Sequence, residues 1–73
     1  MSLRRWPLYE RVLVSLVSGD AISGLLVATR GPLLVLTRAR LLSETAEPTD
    51  LDGQVYVERT KVLFLQSVPS EQG

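Results

Sequence analysis

The sequence predicts an all-β domain, a small strongly bent barrel of five strands. Three observations predict it. Between Val12 and Ser67, β-branched and aliphatic runs recur at close spacing with turn residues between them, the signature of a barrel or sandwich. Gly24 falls inside one of these runs, where its use is a bend or bulge that curls a sheet over its own core. The last two runs are joined by only Arg59-Thr60-Lys61, too short for a helix and right for a tight turn or one 3-10 turn.

Residues 1–11 read as an N-terminal arm in which Pro7 blocks a helix but permits a single turn, with Trp6 and Tyr9 packing the arm onto the barrel. The barrel is expected over residues 12–67, followed by a tail, 68–73. In the first strand, Val12 to Val17, alternation places Val12, Val14 and Leu16 on one face and Leu13, Ser15 and Val17 on the other. Ser18-Gly19-Asp20 turns the chain into a second strand, Ala21 to Thr29. Arg30-Gly31-Pro32 turns it again: Gly31 permits a positive φ, and Pro32 suits the first position of a strand. A long third strand, Leu33 to Leu42, leads into Ser43–Asp52, which carries Pro48 and four acids and is expected to project as a loop. Gly53-Gln54-Val55-Tyr56-Val57 and Val62-Leu63-Phe64-Leu65 are expected to close the barrel as a pair.

A chain of 73 residues buries only about 60% of the surface its unfolded form exposes, so its core is marginal. Without cysteine no disulfide supplements that core, and without histidine or cysteine a zinc site is disfavoured. Association is the remaining way to bury apolar surface, and an apolar content of 45% is compatible with a homo-oligomer. The segments at the end of the chain supply the candidate subunit interface: Val55, Tyr56, Val57, Val62, Leu63, Phe64 and Leu65. An uncovered edge this apolar invites aggregation. The alternative is an edge blunted by Arg59 and Lys61 in a monomer or simple dimer.

The apolar runs are broken by Ser18, Asp20, Arg30, Arg38 and Arg40 well short of the roughly 20 residues a bilayer requires, so no membrane span is expected. The start, with Arg4, Arg5, Trp6, Pro7, Glu10 and Arg11, does not read as a signal peptide. A soluble, intracellular protein is expected, and the lack of cysteine is compatible with a reducing compartment.

Net charge is zero but unevenly placed. Arg4, Arg5, Arg11, Arg30, Arg38 and Arg40 face only Glu10 and Asp20 in the first 40 residues, whereas Glu44, Glu47, Asp50 and Asp52 follow without a base among them. If the two signs occupy different faces, they steer association; otherwise they are solvated loop charges. A serine nucleophile would need a lysine or carboxylate base, and Lys61, the only lysine, lacks a glycine-rich nucleophile motif beside it. The acids of 44–52 do not match the spacing of a calcium loop. No catalytic residue, metal or cofactor is therefore expected. Candidate nucleic-acid contacts are Arg30, Arg59 and Lys61 in the turns, but neutral charge and few aromatics argue against strong affinity.

Val12 to Leu26, with Ser18-Gly19-Asp20 and Gly24-Leu25-Leu26, resembles the opening of the first Sm motif, and Leu33 to Leu42 is similar to its third strand. Gly53 to Leu65 resembles the second motif. The resemblance implies a small Sm-like (SH3-like) barrel that assembles into rings. It also implies a base pocket formed by an Asp and Asn around the turn before the third strand and an Arg-Gly in the last turn. Here Thr29 or Arg30 takes the Asp position, Leu33 or Leu34 the Asn position, and Glu58-Arg59 the Arg-Gly position. A one-residue slip restores Arg59 as the arginine but leaves Thr60 for the glycine.

Three phrases, Trp6 to Val12, Arg30 to Leu36 and Asp52 to Arg59, also resemble small proteins of actinobacterial phages and prophages. That resemblance implies a place in the host cytoplasm or the virion, with phage structural proteins as partners. On these readings protein binding by a non-catalytic oligomeric ring is favoured. The alternative is an RNA-binding ring of the Sm or Hfq type.

Overall fold

The computed structural model describes residues 6–68. Five strands form one antiparallel sheet: β1 (Glu10–Leu16), β2 (Ala21–Arg30), β3 (Leu33–Ser43), β4 (Ala46–Glu58) and β5 (Val62–Ser67), with a single 3-10 turn at Arg59–Lys61. The expected β1 alternation holds, since Val12 and Val14 are buried while Leu13 and Ser15 are half-buried. Together with Ile22, Leu26, Leu34, Leu36, Ala39 and Val57 they make one core cluster, onto which Leu16, Leu41, Leu51, Val55, Val62 and Leu65 pack. No charged or polar side chain is buried among the described residues. The hydrophobic effect therefore carries this fold without help from internal ion pairs.

Gly24 sets the curvature. The β2–β3 register shifts between Ser23 and Leu25, and a Cβ built on Gly24 would lie 3.1 Å from the Ala39 Cα and 3.2 Å from the Thr37 carbonyl oxygen. Any Cβ here would force the β3 backbone to give by a few tenths of an ångström, so glycine is the residue that suits this close approach. Gly31 takes the expected positive φ, +57°, in the turn between β2 and β3. Pro32 lies just before β3 rather than opening it.

Beyond Pro32, the structure differs from the sequence expectation in three places. Ser43–Asp52 is not a projecting loop: β3 runs to Ser43 and β4 resumes at Ala46, so that only Glu44 and Thr45 turn. Cross-strand pairing explains this. Ala39, Arg40 and Leu41 pair with Leu51, Asp50 and Thr49, Leu51 packs against the core, and the Arg40 Nε–H donates to Asp50 Oδ1 at 2.9 Å. Pro48 is tolerated because β4 lies at the margin of the sheet, beside a register shift between Leu41 and Ser43. The Arg40–Asp50 pair is solvent-exposed, at 53% and 75% of the two side chains. We therefore expect Asp50→Ala to cost only about 0.5 kcal/mol of stability, readable as a shift of a few degrees in a thermal melt.

The second difference is strand order. β4 and β5 do not pair with each other: the order is β4-β3-β2-β1-β5, which puts them at opposite margins. Val12, Val14 and Ser15 of β1 pair instead with Ser67, Leu65 and Phe64. The intervening turn crosses from one margin to the other. At its start the Arg59 N–H donates to the Pro32 carbonyl (2.8 Å), and at its end the Val17 N–H donates to the Lys61 carbonyl (2.9 Å).

The third concerns the arm. β1 begins at Glu10, inside the segment expected as arm, and the Tyr9 N–H already donates to the Leu26 carbonyl. The turn near Pro7 forms, with the Glu10 N–H donating to the Pro7 carbonyl at 3.3 Å. Tyr9 does not pack the arm down. Its φ is +63° and it is 73% exposed, because the turn directs it away from the sheet. Trp6 is exposed as well, at 39%, and lies outside the core cluster, with the Arg59 guanidinium 5.6 Å from its ring centroid.

Candidate nucleic-acid interface and sheet margins

Two of the three basic residues singled out in the sequence meet at one end of the molecule. Arg30 ends β2, Leu33 pairs with Glu58 across β3 and β4, and the Arg59–Pro32 hydrogen bond ties the β2–β3 turn to the 3-10 turn. Arg30 and Arg59 therefore border one surface, and both are exposed. Lys61 lies at the far side of the 3-10 turn, beside the β1–β2 turn through its bond to Val17. The Arg59 guanidinium is held over Trp6, a flat basic platform of the type that stacks with bases.

The polar half of a base pocket is missing at this end. Leu34 is fully buried in the core and Leu33 half-buried, so neither position offers a hydrogen-bonding group to a base edge. Thr29 and Glu58 are exposed on the flanking strands. What the arrangement offers is positive charge and stacking, which favour phosphate contact and base-tolerant binding over base reading.

The seven residues expected at a subunit interface divide by direction. Val57 is buried in the core, and Val55, Val62 and Leu65 pack against it. Tyr56, Leu63 and Phe64 face out, at 52%, 62% and 52% exposure. Tyr56 is steadied by its hydroxyl, which donates to Gln54 Oε1 at 3.0 Å. As the outermost strands, β4 and β5 each leave one row of backbone groups without a strand partner among the described residues. The sequence signal of apolar closing strands picked out the two segments but neither placed them at opposite margins nor separated core-facing from outward-facing side chains. The contact between Arg59 and the β2–β3 turn had no local signal at all.

The fold is the Sm-like small barrel. Its structural neighbours include a heptameric archaeal Sm protein, at 27% identity and a TM-score of 0.74 over 85% of this chain and 90% of that one. The Sm protein of Pyrococcus abyssii, solved in complex with a uridine heptamer, matches at 22% identity and a TM-score of 0.73, over 84% of this chain and 86% of that one. A chain of the NatC complex bound to CoA matches at 21% identity and a TM-score of 0.76, over 93% and 90%. No family model and no curated protein matches the chain.

Proposed function

We propose that this protein is the subunit of a non-catalytic Sm-like ring that binds single-stranded RNA through phosphate contacts and stacking at the Arg30–Arg59 end. The observation that carries the reading is the hydrogen bond from Arg59 to Pro32, which gathers both basic turns onto one surface beside Trp6. Two further supports are the heptameric assembly of one neighbour and the uridine heptamer held by another. Copies would join margin to margin, β4 of one against β5 of the next, which satisfies both exposed edges.

Gel shifts with U-rich and A-rich oligonucleotides test the RNA reading. Binding is expected to weaken as salt rises, and the Arg59→Ala, Lys61→Ala pair is expected to lower the salt slope by roughly 0.7 for each phosphate that is no longer neutralised. No shift at low salt would end the proposal.

A second reading is a ring or single module that binds protein. Leucine at both candidate Asn positions favours it, as does the match to a chain of a multi-protein complex. The phage-like phrases of the sequence would make its partner a virion structural protein. An oligomer that fails to shift any oligonucleotide but co-purifies stoichiometrically with such a protein would establish this reading in place of the first.

A further inference from the structure

We infer that the outer side of the bend in β2 and β3 carries a binding site for a ribose phosphate, separate from the Arg30–Arg59 end. The bend gathers residues that lie far apart in sequence. Arg11 of β1, Ser23 of β2, Arg38 and Arg40 of β3, and Asp50 and Asp52 of β4 line an open cleft of about 420 Å³. Along β3 it begins five residues beyond Leu33, roughly 16 Å from the end already described.

Three features make this cleft more than a group of solvated charges. Arg38 has a φ of +52°, between the β3 positions where the register with β4 shifts. A side-chain-bearing residue in the left-handed region costs on the order of 1–2 kcal/mol, and glycine would fill the position without that cost. An arginine thus lines the cleft here at the expense of backbone strain. Arg40, secondly, is oriented: its Nε–H donates to Asp50 Oδ1 at 2.9 Å, leaving the terminal N–H groups available to a ligand. Thirdly, neither Arg11 nor Arg38 has a carboxylate within ion-pair distance among the described residues.

The chemistry selects the ligand. Planar guanidinium groups from two strands, with the Ser23 hydroxyl, suit the oxygens of a phosphate. Asp52 would repel a bare anion but accepts hydrogen bonds from sugar hydroxyls, and a 2′-hydroxyl is the group that separates RNA from DNA. A ribose phosphate offers both, whether free as a ribonucleotide or within an RNA chain.

The test is a titration of the ¹⁵N-labelled full chain, read at the arginine Nε–H resonances, with uridine 5′-monophosphate, its 2′-deoxy analogue, inorganic phosphate and an oligouridine. The ribonucleotide should shift Arg11, Arg38 and Arg40 saturably, leave Arg30 and Arg59 in place, and bind about tenfold more tightly than the deoxy analogue or phosphate, as expected for one well-made hydrogen bond. Arg38→Gly should retain the melt, since glycine accepts the backbone angle, and lose at least about tenfold in affinity. Asp52→Asn should reduce the preference for ribose, and the Arg59→Ala, Lys61→Ala pair should leave the titration unchanged, which separates this site from the proposed RNA surface. Oligouridine competing with the ribonucleotide, with Arg38→Gly weakening both, would identify the ligand as RNA; binding of the ribonucleotide alone would identify a free nucleotide. Uniform non-saturating shifts at every arginine, or phosphate binding as tightly as the ribonucleotide, would overturn the proposal.

Discussion

Replacing Gly24 by valine is expected to unfold a large fraction of the protein near physiological temperature. The Cβ alone would sit 3.1 Å from the Ala39 Cα and 3.2 Å from the Thr37 carbonyl oxygen, and both are backbone atoms of β3 that cannot rotate away. Overpacking of this kind costs about 3 kcal/mol. For a domain of this size that is a fall of roughly 10–20 °C in Tm. Gly24→Ala should show a smaller loss of the same sign. In that background Ala39→Gly should recover part of it, because it removes the Ala39 Cβ at 3.2 Å while the Cα and the Thr37 oxygen remain. Thermal melts of the parent, Gly24→Ala, Ala39→Gly and the double variant make a double-mutant cycle. A Gly24→Val protein that melts with the parent would show that the bend does not depend on backbone approach.

The second large effect is on assembly. Leu63→Glu combined with Phe64→Glu should convert the proposed ring to monomers while leaving the far-ultraviolet β signature in place. Both side chains are already more than half exposed in the protomer, so the substitutions cost the isolated chain about 0.5 kcal/mol or less. At a margin-to-margin seam they remove the burial of the half still exposed, roughly 1–1.5 kcal/mol each, and add charge where an edge strand must pair. The summed loss of burial corresponds to roughly 30- to 150-fold in the affinity of each seam, before the added charge. Native mass spectrometry and sedimentation at matched concentrations read the result. A parent chain that is strictly monomeric at high concentration would refute the ring, and a double variant that stays oligomeric would place the seam elsewhere.

The parts of the fold that were legible in the sequence are those encoded over a few residues. Ser18-Gly19-Asp20, Gly24, Arg30-Gly31-Pro32 and Arg59-Thr60-Lys61 each mark a turn or bend through their own backbone preferences, and β1 shows its inward face by alternation. Strand order was not legible, because pairing of Val12 with Ser67 spans most of the chain and leaves no local trace. Composition misled at 43–52, where proline and acidic residues suggest a loop. An ion pair to Arg40 and the packing of Leu51 on the core extend the hairpin instead. The site was partly legible for the same reason. Arg30 and Arg59 stood out as turn residues, whereas Arg11, Arg38 and Arg40 sit on different strands and converge only once the bend has formed.

The two outermost strands are unlike each other, and in the proposed ring this would make joining directional. A newcomer that docks its β4 on a neighbour's β5 presents a fresh β5 of its own, so growth has no natural stopping point until the last copy meets the first. The copy that completes the circle forms two junctions while giving up its translational freedom only once. In the proposed ring partial arcs would therefore be sparsely populated, and dilution should dismantle a finished circle abruptly instead of shedding members one at a time.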